Sequence, residues 1–184
     1  MTYLTSADLA NKLGTTLTAS QTAYLNSVLS SAIDAYIDSM TGTTFGSTTP
    51  TTVYADGDNT SILSIPTMHT ITSVSDDASN VIDSTRYKLY PRASSDKLAI
   101  RSLDTWDEGN ENYAIVGVLG HKNVPADIRI VALELASNAL IENISGLKSE
   151  SVGDWSVSYD NAVKEISSQS LGILESYTRL SRRI

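Results

Sequence analysis

The chain has 184 residues, enough for one compact domain or a small core with a sizeable insertion, and no cysteine, which excludes disulfides, thiolate zinc sites and a cysteine nucleophile. Its formal net charge of −8 argues against a dedicated nucleic-acid binder, which would present a basic face. No apolar run approaches the roughly 20 residues of a membrane span, and the first residues lead into a capped helix instead of a signal segment, so we expect a soluble protein, made in the cytosol, with no membrane partner.

The N-terminal part of the chain is predicted to be helical. Thr5 can cap a short helix that ends near Gly14, and a second cap at Thr18 or Ser20 opens a long helix that Gly42 closes. The long helix is indicated by apolar residues at intervals of three and four, which form one continuous stripe. These residues are Leu25, Val28, Leu29, Ala32, Ile33, Tyr36, Ile37 and Met40.

From about residue 45 to residue 120 the pattern changes to short β-rich segments separated by turn-forming clusters. The predicted strands are 52–55, 61–65, 70–75, 87–90, 97–100 and 113–119. The turns contain Asp, Asn and Gly, as at 56–59 and 107–110. Several strands at such short spacing predict an antiparallel sheet folded on itself as a small barrel or sandwich.

The C-terminal part returns to helix. Pro125 lies near a first helical position, apolar residues at helical spacing follow it, and Gly146 ends that helix. A short strand at 155–159 precedes a last helix that begins near residue 162 or 167 and ends near 182. The predicted class is therefore α+β: a bundle of three to four helices from both chain ends (1–44 and 121–184) with an antiparallel β domain (45–120) inserted between them.

The sequence offers little for catalysis. His69 and His121 are far apart and match no zinc-ligand spacing. The acidic turn at 56–59 lacks the later ligands of a calcium loop, and the glycines at 117–120 lack the lysine of a phosphate loop. We therefore expect no catalytic residue, no metal and no cofactor.

Two segments invite a functional interpretation. Alternation places Trp155, Val157 and Tyr159 on one face of the predicted strand, which fits either a subunit contact or a strand that covers the helical core. Arg179, Arg182 and Arg183 form a basic C-terminus on an acidic chain. Their charge suits the end of a helix, and it equally suits a tail that binds an acidic partner.

Four stretches together resemble the head–tail connector family, also called adaptor or head-completion proteins, of long-tailed double-stranded DNA bacteriophages. The first stretch is LTSADL at 4–9, followed by the long helix and TGTTF at 41–45. The second is NVPADI at 123–128 before an alanine-rich helix, and the third is the glycine–aromatic segment at 151–159. The helix at 172–180 completes the likeness, while the β insertion matches only an elaboration common in larger members.

The resemblance implies a virion structural protein located in the neck, at the head–tail interface. Such proteins form a ring, typically twelve-fold, that docks beneath the portal protein, extends the DNA channel and presents an attachment surface to the next neck or tail-completion protein. DNA passes through the channel without sequence-specific binding. By the same resemblance, portal docking falls on Tyr177, Arg179, Leu180, Arg182, Arg183 and Ile184. A subunit interface is expected at Trp155, Val157 and Tyr159.

Three alternatives remain open at this point. The chain could be another neck, tail-completion or stopper subunit. It could be a binding module whose β domain holds a pocket lined by Tyr54, Tyr87, Tyr90 and Tyr113. A hydrolase would require His69 or His121 to meet carboxylates in one cleft.

Overall fold

Two compact units make up the described part of the chain. The computed structural model describes residues 2–145, 149–152, 155–158 and 166–181, with side chains for 2–140 and 166–178. The helical unit comprises Thr2–Met40 and Pro125–Ser176, and the β unit comprises Thr41–Val124 with the end of the last helix from Tyr177 onward. Helices at both ends flank a β region, which confirms the predicted α+β class. The predicted domain limits at 44 and 120 stay predictions.

The described elements follow one another in the predicted order of helices, strands and helices. In chain order they are α1 Ser6–Leu13, α2 Ala19–Tyr24, a π-helical turn Leu25–Leu29, α3 Ser30–Thr41, β1 Thr51–Gly57, β2 Ile62–Asp76, a 3-10 turn Ser84–Arg86, β3 Tyr87–Tyr90, β4 Lys97–Ser102, β5 Gly109–Leu119, α4 Ala126–Ser145, β6 Ser149–Val152, β7 Trp155–Ser158 and α5 Ser168–Ser181.

Side-chain caps fix where the first helices begin. The Thr5 hydroxyl accepts a hydrogen bond from the backbone N–H of Asp8, whose carboxylate accepts from the Thr5 backbone N–H in return. Thr18 and Gln21 make the same reciprocal pair at the start of α2, so Thr18, and not Ser20, is the cap. Gly14 ends α1 with a left-handed φ of 67°.

The long predicted helix runs through α2 and α3 with one π-helical turn inside it. Leu25, Leu29, Ile33 and Ile37 are buried along it at intervals of four residues. In a regular α-helix each such step overshoots a full turn by about 40°. A π turn holds more residues per turn, which offsets part of this drift and keeps the buried row on one side.

A carboxylate on α4 secures the start of α5 within the helical unit. Glu134 accepts a hydrogen bond at 2.8 Å from the backbone N–H of Ser167, and it also accepts from the hydroxyls of Ser167 and Ser170. Burial acts to raise the pKa of Glu134, but these hydrogen bonds outweigh burial and lower the pKa overall. The negative charge also suits the helix N-terminus. Ser170 and Leu174 are buried on the first turns of α5.

The β unit contains one five-stranded antiparallel sheet in the order β1-β5-β2-β4-β3. Its 15-residue strand β2 replaces the two strands predicted at 61–65 and 70–75. The first half of β2 pairs with β4 and the second half with β5, and Met68 lies opposite both Lys97 and Leu119. The register shifts between Ser64 and Met68, across Pro66, which has no N–H to give to the ladder. The proline therefore marks an irregularity within one strand and not a gap between two.

The sheet buries a core of its own. Alternate residues of its strands point inward, including Leu63, Ile65, Ile100 and Ile115, each at most 1% exposed. Trp106, from the loop between β4 and β5, closes one end of this core and meets the ring of Tyr113 edge-on at 4.9 Å. Since all five strands contribute buried side chains to one cluster, the sheet curls around it.

Candidate functional surfaces

Two backbone hydrogen bonds join the beginning of the β unit to its end. The backbone N–H of His121 donates to the carbonyl of Thr44 at 2.8 Å, and the N–H of Gly46 donates to the carbonyl of His121 at 2.8 Å. Gly120 has a φ of +86°, and a Cβ atom there would lie 2.0 Å from the Thr44 carbonyl oxygen. Both its conformation and this close approach require glycine. The chain therefore leaves the β unit beside the point where it entered.

Three aromatic rings pack beside these hydrogen bonds. Phe45, the only phenylalanine and 1% exposed, stacks on His121 with 5.1 Å between ring centroids and 9° between planes. Tyr177, from the C-terminal end of α5, meets Phe45 edge-on at 5.2 Å and His121 edge-on at 5.7 Å. We call Phe45, His121 and Tyr177 the aromatic clasp. Such edge-on geometry is attractive because the positive ring edge faces the negative ring face.

A side-chain hydrogen bond joins the aromatic clasp to the loop after β3. Nδ1 of His121 lies 2.8 Å from Oδ2 of Asp96, and the two side chains are 20% and 25% exposed. Burial acts to raise the pKa of Asp96, but hydrogen bonds from His121, the Lys122 backbone N–H and the Ser95 hydroxyl outweigh it and lower the pKa overall. The carboxylate is thus built to stay ionised.

The contact between His121 and Asp96 meets one condition of the hydrolase alternative, since a histidine does reach a carboxylate. Its surroundings favour a structural role. The His121 ring stacks on Phe45 and receives the edge of Tyr177. The other histidine, His69, has its Nδ1 3.4 Å from the Gly120 carbonyl oxygen, so both histidines fasten the end of β5.

The predicted docking residues are described in part. Tyr177 is the one whose side chain is described, and it is half-buried in the aromatic clasp. Arg179 and Leu180 lie on α5, but their side chains are outside the described set, and residues 182–184, which include Arg182, Arg183 and Ile184, lie outside the described residues. Sequence reasoning gave Tyr177 a contact with another protein and missed its contacts within this chain.

The predicted interface segment forms half of a two-stranded hairpin. Trp155 pairs with Val152 and Val157 pairs with Glu150, while Tyr159 lies outside the described residues. The partner strand β6 was missed because it has four residues, three of them polar or charged. Trp155 and Val157 are two residues apart on β7, as the prediction of a shared face requires. Their contacts stay a prediction.

The four tyrosines of the binding-module alternative do not share a surface. Tyr87 and Tyr113 are 8% and 6% exposed and belong to the core of the β unit. Tyr54 faces outward at 59% exposure. Tyr90 is half-buried, so the four tyrosines do not line one pocket.

Within the described ranges, histidine, aspartate and glutamate nowhere gather in a group of three that could hold a metal ion. Of the helices described, none has both the length and the apolar character that crossing a membrane requires.

The comparisons with known proteins gave a similarity to a solved structure. No protein-family model and no curated protein matches the sequence. Among solved structures, the fold is similar to a chain of the neck of an empty GTA particle, a phage-like gene transfer agent, computed with C6 symmetry. The TM-score is 0.59 and the identity 14%, over 95% of this chain and 89% of the other. Coverage of this extent includes the β unit as well as the helices, so the likeness is one of whole architecture.

Proposed function

We propose that this chain is a structural subunit of the neck of a tailed phage or phage-like particle. The observation that carries the proposal is the match to a neck chain over nearly the full length of both proteins. At 14% identity that match shows the fold alone. Further support for the proposal comes from the sequence motifs at 4–9, 123–128 and 151–159, which point to the same class of protein independently of the fold.

Within the neck, we assign the chain to the head–tail connector, or adaptor, ring beneath the portal. The ring extends the DNA channel and offers an attachment surface for the next neck or tail-completion protein. A closed ring needs head-to-tail contacts between identical subunits. The similar chain comes from a neck computed with C6 symmetry, and a twelve-subunit ring also contains that symmetry. The net charge of −8 suits a conduit that does not grip DNA.

The portal-docking part of the proposal rests on the basic C-terminus. Arg179, Arg182 and Arg183 carry three positive charges on a chain whose other residues are strongly acidic. Charge of this kind steers a tail toward an acidic surface. Because Tyr177 packs in the aromatic clasp, we assign it to holding the start of the tail, and we assign docking to residues 179–184.

The test is assembly with the cognate portal, followed by negative-stain electron microscopy. We expect coaxial rings stacked on the portal, lost when residues 179–184 are deleted. The deletion starts after Tyr177 so that the aromatic clasp is kept. Circular dichroism checks that the shortened chain is folded. Rings that form without the portal and never bind it would favour the alternative, another neck, tail-completion or stopper subunit. No ring under any salt condition would refute the proposed function.

A further inference from the structure

The long helix made of α2, the π turn and α3 carries a second apolar row beside its buried one. The members of this second row recur at intervals of four residues and are exposed. Val28 is 51% exposed, and the two tyrosines and the methionine of the row are 36–39% exposed. We call Tyr24, Val28, Ala32, Tyr36 and Met40 the outer row. Because consecutive residues lie about 100° apart around a helix, the outer row is about a quarter of a turn from the buried row, whose members each follow one position later.

The flank of the helix opposite the outer row is covered by Tyr3. Asp34 and Asp38 lie on that flank, since each follows a member of the buried row by one position. Asp34 accepts a hydrogen bond at 3.1 Å from the backbone N–H of Tyr3, and Asp38 accepts one from the Tyr3 hydroxyl. These two aspartates are the only charged residues from residue 18 to residue 41. The charges of the helix are therefore held away from the outer row.

The outer row begins in the least charged part of the chain. No Asp, Glu, Lys or Arg occurs from residue 13 to residue 33, the longest such stretch of the sequence, although the whole chain has a net charge of −8. Copies of an acidic chain repel one another, so a contact between copies is favoured where charge is absent. The next row around the helix is exposed and consists of small uncharged side chains, which allow another helix to approach closely. These residues are Ser27, Ser31, Ala35 and Ser39.

The exposed area of the outer row fits the centre of an interface between subunits. A tyrosine has a surface of about 150–250 Å², so Tyr24 and Tyr36, at 36% and 39% exposure, together expose roughly 150 Å². With the other members, the row exposes on the order of 300 Å², less than half of the roughly 800 Å² that each partner buries in a standard interface. Tyrosine and methionine are enriched and charge is depleted at interface centres, and contacts between identical subunits are more apolar than other protein contacts.

We propose that the outer row of one copy of this chain packs against the neighbouring copy in the ring. A closed ring needs two different surfaces on each subunit, one for each neighbour, and the outer row is the apolar centre of one of them. The similar chain comes from a neck computed with C6 symmetry, which repeats a chain around one axis. The portal is assigned to the basic tail at 179–184, which acts through charge, whereas the outer row has none. This inference rests on the proposed function and names a surface that closes the ring.

Lysine substitutions test the contact. Variant A carries Val28→Lys and Tyr36→Lys, which place two charges in the outer row and leave the buried row intact. We expect the concentration needed for ring assembly to rise at least about tenfold, because the charges would be buried at the contact. Two added positive charges also reduce the net charge of −8, so a general electrostatic effect would favour assembly. Val81→Lys with Leu103→Lys is the matched control, at apolar side chains of the β unit that are 70% and 73% exposed, and it should assemble normally.

Assembly is measured by mass photometry and electron microscopy, with the portal present if the wild-type chain alone is monomeric. Circular dichroism checks folding, and Val28→Gln with Tyr36→Gln replaces variant A if variant A does not fold.

A thiol label identifies what covers the outer row. Because the chain has no cysteine, Val28→Cys has a single reactive thiol. Its reaction with a maleimide should be much slower in rings than in the unassembled chain, whereas Val81→Cys should react equally in both. Benzophenone maleimide is attached to Ser27→Cys, beside the outer row, and this chain is diluted into excess wild-type chain before assembly. On irradiation it should crosslink to a second copy, which mass spectrometry of the joined peptides identifies.

The outcomes separate this inference from the proposed function. Normal assembly of variant A, equal loss in its lysine control, or unchanged labelling of Val28→Cys in rings overturns the inference and leaves the proposed function standing. Crosslinks to the portal instead of a second copy also overturn it and make the outer row a portal-docking surface. If the wild-type chain forms no ring, with or without the portal, the proposed function is refuted and this inference falls with it.

Discussion

The aromatic clasp predicts that Tyr177 stabilises the β unit. A fully buried tyrosine covers about 150–250 Å², so a half-buried one covers about 100 Å², worth about 2.5 kcal/mol. Each of the two edge-on contacts adds about 0.5–1.5 kcal/mol. Since these contributions overlap and the unfolded chain already buries some surface, we expect Tyr177→Ala to lower the free energy of unfolding by about 2–4 kcal/mol. For a chain of this size that lowers Tm by roughly 5–15 °C.

Denaturant unfolding followed by circular dichroism measures this loss, and Tyr177→Phe, which keeps the ring, is the matched control. A double-mutant cycle of Tyr177→Ala with Phe45→Leu should give a coupling free energy of about 0.5–1.5 kcal/mol. Hydrogen exchange should become faster at the Gly46 and His121 amides, which make the backbone hydrogen bonds between the two ends of the β unit. A loss below about 0.5 kcal/mol in Tyr177→Ala, or no coupling to Phe45, would show that the Tyr177 side chain does not stabilise the β unit. The tail assignment at residues 179–184 would then have to include Tyr177 again.

Three further predictions concern other sites. Gly120→Ala should destabilise the chain by at least about 3 kcal/mol in thermal unfolding, because it adds a backbone clash to the strain of a positive φ. Gly14→Ala is the control: its φ of +67° is also positive, but the space around it is open, so it should cost only about 1 kcal/mol. Equal losses in the two would contradict this. Glu134→Gln should cost about 1–2 kcal/mol at pH 7 through weaker hydrogen bonds to the start of α5. Because its folded pKa is lowered, that stabilisation is present above the unfolded value of about 4.5 and should fade in unfolding curves as pH falls through the folded pKa. Asp38→Asn should be as stable as the wild type or more stable at pH 7, because burial raises the pKa of the half-buried Asp38 and the substitution removes its charge. Since a raised pKa means that stability is lost as pH rises through the folded value, the two proteins should converge near pH 3, and a constant difference across pH would disprove this reasoning.

Local signals in the sequence predicted most of the elements. A hydroxyl three residues before Asp8 or Gln21 satisfies helix N–H groups whatever the rest of the chain does, so Thr5 and Thr18 begin helices as predicted. Strand β3 was predicted at its observed limits, 87–90, because its residues are β-formers bounded by turns. Strand β2 was split in two because a proline predicts a break, whereas the pairing of β2 with two different strands carries it across that proline.

The candidate surfaces depend on contacts that no local pattern encodes. Phe45 and Tyr177 are 132 residues apart, and nothing near either of them predicts that they meet. The one available signal was that the only phenylalanine follows a Thr/Gly-rich stretch at the edge of the β insertion, where a buried anchor is needed.

The backbone hydrogen bonds between the two ends of the β unit explain how a helical unit tolerates so large an insertion. Thr44 and Gly46 pair with His121, so the β unit starts and stops at one point, and Gly120 lets the two backbones approach closely enough to bond. Loop closure costs little more for a long insertion than for a short one when its ends are already adjacent. The same joint holds Phe45, His121 and Tyr177, so the residue that begins the basic tail is fixed to the base of the β unit. In the proposed function, the tail that docks on the portal therefore starts from an anchor in the β unit, and weakening that anchor should impair docking.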